Sequence, residues 1–415
     1  MSYSQVYSAE NFTTDNLVED RSLVEIICGT VSMAAIILTS VCGNSLVLVA
    51  IWREKSLHNK TAAFIANLAI ADLLNAVTCM PTILASCAHG RWIFGNVACN
   101  VIGAFTTIVC TVSINTLGAI SVDRFFCIVS PFHYSDRMSK RRIAAILTWI
   151  WVQSTLFSIC PVIGWSRYIF ISTEYMCTAD WSTPVSYTIA VLAVNIVLPI
   201  IVMTYCYANI FRIASAHRKQ INAQLKENRL TASTDALNGQ GNGSVVNIAQ
   251  RSKMAALTSR AKQLRKDTKA ATTLLIVIGT FLLCWLPHSV TMLFIGFKVD
   301  NLLPHDVYVV STWFAMLNSA CNPFIYGITN KHFRDAFKRT LRFVLPASCK
   351  VCVRAQVESE LSMGATVSPS PSRTCNARQL DARLHRPRRL SRESANSGQT
   401  VSDISEYCEK VPEQL

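Results

Sequence analysis

The chain has 415 residues, of which 51% are hydrophobic and only 15% charged, well below the ~25% charged content of an average soluble domain. A mean hydropathy of +0.32 argues against a water-soluble globule. The formal net charge of +14 would suit a nucleic-acid binder, so the position of the basic residues decides its meaning.

Seven apolar stretches lie at roughly 24–51, 61–87, 99–122, 143–163, 185–211, 270–296 and 306–328. Each is close to the ~20 residues that cross ~30 Å of hydrocarbon as a helix. Helix is required, because lipid cannot satisfy an open backbone and the runs are too long for barrel strands. Alternate connectors carry the cations: Arg53, Lys55 and Lys60; then Arg137, Lys140, Arg141 and Arg142; then the basic segment 212–269; then Lys331, Arg334, Lys338, Arg339 and Arg342. The opposite connectors are nearly neutral, and residues 10–21 are acidic. This bias places the N-terminus outside and the C-terminus in the cytoplasm. It also accounts for the charge without nucleic acid.

Residues 1–22 are polar and lack a cleavable apolar core, so the first helix is expected to serve as an uncleaved signal anchor. Asn11-Phe12-Thr13 lies outside and is an expected glycosylation acceptor; the matching triplets at Asn59 and Asn242 lie inside and should stay bare. In the second stretch Asp72 stands mid-span, where a lone carboxylate is costly and marks function. Its expected neighbours are Asn44, Ser113, Asn318, Ser319 and Asn322. Their oxygens and amides suit water and a small hard cation such as Na⁺, or a hydrated packing network that merely satisfies the carboxylate. Cys99 and Cys177 both face the oxidising side, where a bridge is chemically allowed. Of the 16 cysteines in the chain, most of the others sit at membrane depth as packing residues.

Asp123-Arg124 ends the third stretch on its inner side. Asp267, just before the sixth, is the expected second partner of Arg124 and would close the cytoplasmic face at rest. Pro199 is expected to disturb the fifth helix, and Pro287, two residues beyond Trp285, to kink the sixth. Asn322-Pro323-Phe324-Ile325-Tyr326 adds a kink beside Asp72, and Tyr207 and Tyr326 can turn their hydroxyls toward Arg124 after rearrangement. Residues 217–265, apart from ends that extend the flanking helices, and the tail from about 356 are expected to be poorly structured. Cys349 and Cys352 are juxtamembrane and suit palmitoylation, and Ser391 follows a basophilic-kinase pattern. The expected organisation is an all-α membrane protein: an extracellular N-terminus at 1–23, a seven-transmembrane helix bundle at 24–328, a short amphipathic eighth helix at 329–345 and a largely disordered cytoplasmic tail at 346–415.

These features together resemble the rhodopsin-like (class A) G-protein-coupled receptors. The resemblance covers roughly 24–345 and rests on Gly43-Asn44, Leu68-Ala69-Ile70-Ala71-Asp72, Asp123-Arg124-Phe125, Trp151, Pro199, Tyr207, Phe281, Cys284-Trp285-Leu286-Pro287 and Asn322-Pro323-Phe324-Ile325-Tyr326. Phe125 departs from the family's commoner tyrosine, a conservative aromatic change. The resemblance implies a Cys99–Cys177 disulfide, no covalent chemistry by the chain, and an outside ligand that shifts the bundle so that the inner face acts on a heterotrimeric G protein. Receptor kinases and arrestin are the further partners it implies, with location at the cell membrane.

The ligand is less legible. Family members that bind monoamines carry an aspartate seven residues after the disulfide cysteine; here Thr106 stands there. Opsins carry a retinal-binding lysine seven residues before the helix-seven proline; here Met316 stands there. The pattern therefore resembles an orphan-type receptor with no covalent cofactor. Thr106, Thr107, Cys110, Asn195, Trp285, His288, Ser289, Met292, Thr312 and Met316 are the candidate pocket residues, an amphipathic cleft with few charges. They suit a neutral or weakly polar small ligand or a short peptide tip. The alternatives are an opsin-related receptor without the lysine, and a transporter, for which no inverted repeat is visible.

Overall fold

The computed structural model describes residues 22–237 and 245–344; some side chains within these spans, those of 263–271 included, are outside the description. The expected modification sites Asn11, Cys349, Cys352 and Ser391 lie outside the described residues, as does the side chain of Asp267.

Seven helices form the bundle: helix one (Leu23–Arg53), helix two (Lys60–His89), helix three (Gly95–Val129), helix four (Lys140–Ile159), helix five (from Val185), helix six (Val245–Gly296) and helix seven (His305–Thr329). Helix eight follows at Lys331–Val344, and a short helix, Pro131–Arg137, joins three to four. Six of the seven are long and apolar enough to cross a membrane on composition alone. Helix seven is the exception, because it turns Ser311, Thr312, Asn318, Ser319 and Asn322 into the bundle. The solvent logic is that of a protein in lipid. Leu38, Trp52, Val97, Leu283 and Ile328 face outward, while Ser40, Asn44, Asp72, Ser113 and Thr116 are buried.

Local chemistry sets the helix ends and irregularities. Ser22, Asn59 and Ser139 cap helices one, two and four by accepting from the amides of Glu25, Ala62 and Arg142. Wider π turns occupy Asn75–Cys79 in helix two and Ala193–Val197 in helix five. Each ends two residues before a proline, Pro81 or Pro199, whose missing donor frees a carbonyl in that turn. The expected irregularity at Pro199 is thus a π turn, while the one in helix two went unforeseen. Helix one approaches seven closely at Gly43, where a Cβ would stand 2.8 Å from the Pro323 ring.

One sequence expectation is corrected. Helix five runs on to Leu237 and helix six begins at Val245, so most of 217–265 is helical. The reason is composition: Ala, Gln, Lys, Glu and Arg favour helix even without an apolar period.

At the outer end, the one that the charge bias assigns to the outside, β1 (Tyr168–Ile171) pairs antiparallel with β2 (Met176–Ala179). Cys177 is bonded to Cys99 at the head of helix three, tying this hairpin across the bundle. Tyr168 seats it a second time, lying where a Cβ on Gly103 would come within 2.5 Å of its ring. The Tyr168 hydroxyl donates to the Ser158 carbonyl at 2.8 Å.

Candidate functional site

The polar residues predicted from sequence fall into three centres along the bundle. The innermost surrounds Asp123, which is fully buried. Its carboxylate accepts from Thr61 Oγ1 at 2.6 Å and from the Tyr134 hydroxyl at 2.9 Å. Arg124 lies 3.4 Å from the same carboxylate and also donates to Thr61. Helix three is thereby joined to helix two and to the short connecting helix. The Tyr207 and Tyr326 hydroxyls are buried with no hydrogen-bond partner among the described residues. Arg339 of helix eight makes two hydrogen bonds, 2.6 and 2.8 Å, to Glu54 at the end of helix one.

The middle centre is Asp72, 1% exposed. It accepts from Ser113 Oγ at 3.2 Å, Ser319 Oγ at 3.1 Å and Asn322 Nδ2 at 2.9 Å. Three helices therefore converge on one carboxylate, as expected. Asn44 is placed differently from the expectation: it donates to the Ser319 carbonyl at 2.9 Å and braces helix one against seven. Asn318 is buried nearby without a bond to Asp72 among those described. Beside this centre Asn67 links Trp151 to Thr116, joining helices two, three and four.

The outer centre holds the candidate pocket residues. Thr106, Thr107, Ser289 and Thr312 donate to carbonyls of their own helices. Their hydroxyl protons are thus spent locally. Asn195, carried on the π turn of helix five, accepts from Gln153 at 2.7 Å, and its own amide nitrogen is unpartnered. Met316 receives the Asn75 amide at 3.8 Å. Cys110 is half-buried, while Met292, Trp285 and His288 are buried. Trp285 lies between Phe281 and His288, with ring centroids 6.3 and 6.0 Å away.

One residue of this centre is missing from the sequence expectation. Glu174, at the tip of the hairpin, is 0% exposed, and neither carboxylate oxygen has a hydrogen-bond partner among the described residues. His288 Nδ1, likewise unpartnered, lies 4.0 Å away. Burial pushes the Glu174 carboxyl up from its ordinary 4.5 to about 8. The cleft with few charges therefore contains a buried acid. Among the described residues no group of three His, Cys, Asp or Glu side chains is placed to hold a metal.

The chain is thus a multi-pass helical bundle with a loop disulfide-bonded across one end and an Asp-Arg pair at the other. The chain belongs to the rhodopsin family of seven-transmembrane receptors, whose family profile matches residues 43–326. It is therefore a receptor and not a catalytic enzyme. The rat alpha-1A adrenergic receptor is 30% identical over 380 residues, covering 90% of this chain and 77% of the relative. The Drosophila melanogaster octopamine receptor beta-1R is 29% identical over 364 residues, covering 85% and 69%. The crystal structure of squid rhodopsin superposes with a TM-score of 0.65 at 24% identity, covering 83% of this chain and 92% of that one. That last likeness concerns the fold.

Proposed function

We propose that this receptor converts a signal at its outer centre, or its own basal equilibrium, into activation of a heterotrimeric G protein by outward movement of helix six. The observation that carries the reading is the division of the inner face. Asp123, Thr61, Tyr134 and Arg124 form a satisfied network on the side of helices two and three, whereas Tyr207 and Tyr326 keep buried hydroxyls unpaired on the side of helices five and seven. Unpaired buried hydroxyls favour a second arrangement in which they find partners. Pro287 supplies the hinge in helix six. Asp267 is the proposed restraint on Arg124, and the N-terminus is proposed to lie outside.

The named relatives are receptors for adrenergic agonists and octopamine. Thr106 leaves helix three without an anionic anchor, so a monoamine held there in the usual way is not the proposed ligand. Met316 carries no amine and argues against a retinal-linked opsin. Asp72 with the Ser113 and Ser319 hydroxyls is a hard-oxygen donor set that suits Na⁺, and its single carboxylate suits a monovalent ion. Receptor kinases and arrestin belong to the same proposal.

The test is basal activation of a panel of heterotrimeric G proteins in cells, with surface expression matched between the wild type and Arg124→Ala. A selective signal lost in the variant supports coupling. A signal equal in both would overturn the proposed role of Arg124. Asp267→Ala is expected to raise the same basal signal, and an unchanged signal would remove Asp267 from the scheme.

A further inference from the structure

We infer that Glu174 and His288 form the recognition end of an outer site for a ligand bearing a protonated amine, with the loop hairpin rather than helix three supplying the counter-charge. The inference rests on the receptor reading only in taking the outer end of the bundle as the ligand side.

Loop tips ordinarily face solvent, yet here Thr173, Glu174 and Tyr175 are all buried. The tip is held in place on both sides. Cys177 is bonded to helix three, and the Tyr175 ring stands 6.2 Å from Trp313 and 6.4 Å from His305 of helix seven. Tyr175 accepts a left-handed φ of 52° in that position, a conformation a non-glycine residue holds only where its surroundings fix it. The fixed turn points Glu174 at helix six.

Glu174 and His288 Nδ1 meet here with no hydrogen-bond partner among the described residues, and Trp285, whose Nε1 is likewise buried and unpaired among them, packs its ring against His288. Buried polar groups in native proteins are paired in the great majority of cases, so a cluster of orphans indicates a missing partner. The chemistry of the cluster selects that partner. A cation favours ionisation of the buried acid, whereas an anion opposes it and a neutral ligand supplies no compensating charge. An ammonium offers three N–H donors and no acceptor, matching two carboxylate oxygens and an imidazole nitrogen 4.0 Å from one of them. The Trp285 ring, 6.0 Å from His288, adds an aromatic face suited to a cation and to an aromatic ligand body. Trp285 in turn contacts Phe281 below it and lies beside Pro287. A ligand seated on Glu174 and His288 therefore presses on the hinge of helix six.

The test uses the purified full-length chain in detergent and reads thermal stability with phenethylamine and with uncharged 2-phenylethanol. The expected result is dose-dependent stabilisation by the amine, none by the alcohol, and at least about tenfold weaker apparent affinity in Glu174→Gln. Glu174→Asp, which keeps the charge, should retain part of the response. Equal effects of amine and alcohol, an amine response preserved in Glu174→Gln, or no response to millimolar amine in the wild type would each overturn the inference. The readout contains no G protein, so failure of coupling and failure of this site are scored separately.

Discussion

Asp123 at the inner end of helix three and Glu174 at the tip of the outer hairpin are both 0% exposed, but their surroundings differ. Asp123 accepts from Thr61 and Tyr134 and lies beside Arg124. Among the described residues Glu174 has no hydrogen-bond donor, and the imidazole nitrogen it faces has no partner either. A buried carboxylate with a full set of donors holds elements together; one without any costs stability until something binds it. The inner end of the receptor is therefore internally complete on this side, and the outer end is not.

The largest expected effect breaks the complete side. Asp123→Ala strands the Thr61 and Tyr134 hydroxyls and removes an acidic partner of Arg124, so thermal or denaturant unfolding should report a loss of about 2–4 kcal/mol. A loss below the resolution of the measurement would show that the network is ornamental. Next is the seat of the hairpin. Gly103→Ala puts a Cβ within 2.5 Å of Tyr168, and displacing that ring should cost about 1–3 kcal/mol while also weakening any effect that depends on Glu174. Retention of both stability and amine response in Gly103→Ala would show that the hairpin is not positioned by this contact.

The incomplete side should show itself through pH. Glu174 titrates at about 8 in the folded chain against an ordinary 4.5. Between those values the unfolded chain has released a proton that the folded chain still holds, so stability falls as pH rises. The informative window is pH ~7 to 8, where an unperturbed imidazole is already mostly neutral. The melting temperature of the unliganded receptor should decline across it, and Glu174→Gln should flatten the decline. For Asp72, replacing Na⁺ by N-methylglucamine is expected to lower the melting temperature of the wild type and not of Asp72→Asn; equal responses would argue against an ion there. The smallest effect concerns Arg339→Ala, which removes a well-formed but exposed pair with Glu54. Such pairs are screened by solvent, and no resolvable change in melting temperature is expected.

The parts of this arrangement that were legible in sequence are those set by local pattern or by a strong solvent mismatch. The apolar runs located the membrane helices, and Asp72 declared itself as a charge at membrane depth. Pro199 marked the irregularity in helix five. Glu174 was not legible, because Ser-Thr-Glu-Tyr between two short strands reads as an exposed turn. Its burial is set by contacts distant in sequence, namely the disulfide to Cys99, Tyr168 on Gly103, and Tyr175 between His305 and Trp313. The two-point anchor from Arg339 to Glu54 was invisible for the same reason, since those residues lie 285 positions apart. The extension of helices five and six was misjudged on a different ground. An apolar period reports packing, and a helix that runs out of the bundle has no packing partner to require one.

The most direct test of the contrast is the melting temperature of Glu174→Gln against wild type at pH 8, both without ligand. Replacing an unpartnered buried carboxylate by a neutral amide of the same shape should raise the melting temperature, while the variant loses its response to phenethylamine. A variant that melts lower than wild type would mean that Glu174 already has its partner within the chain. In that case it would belong with Asp123 as a structural acid.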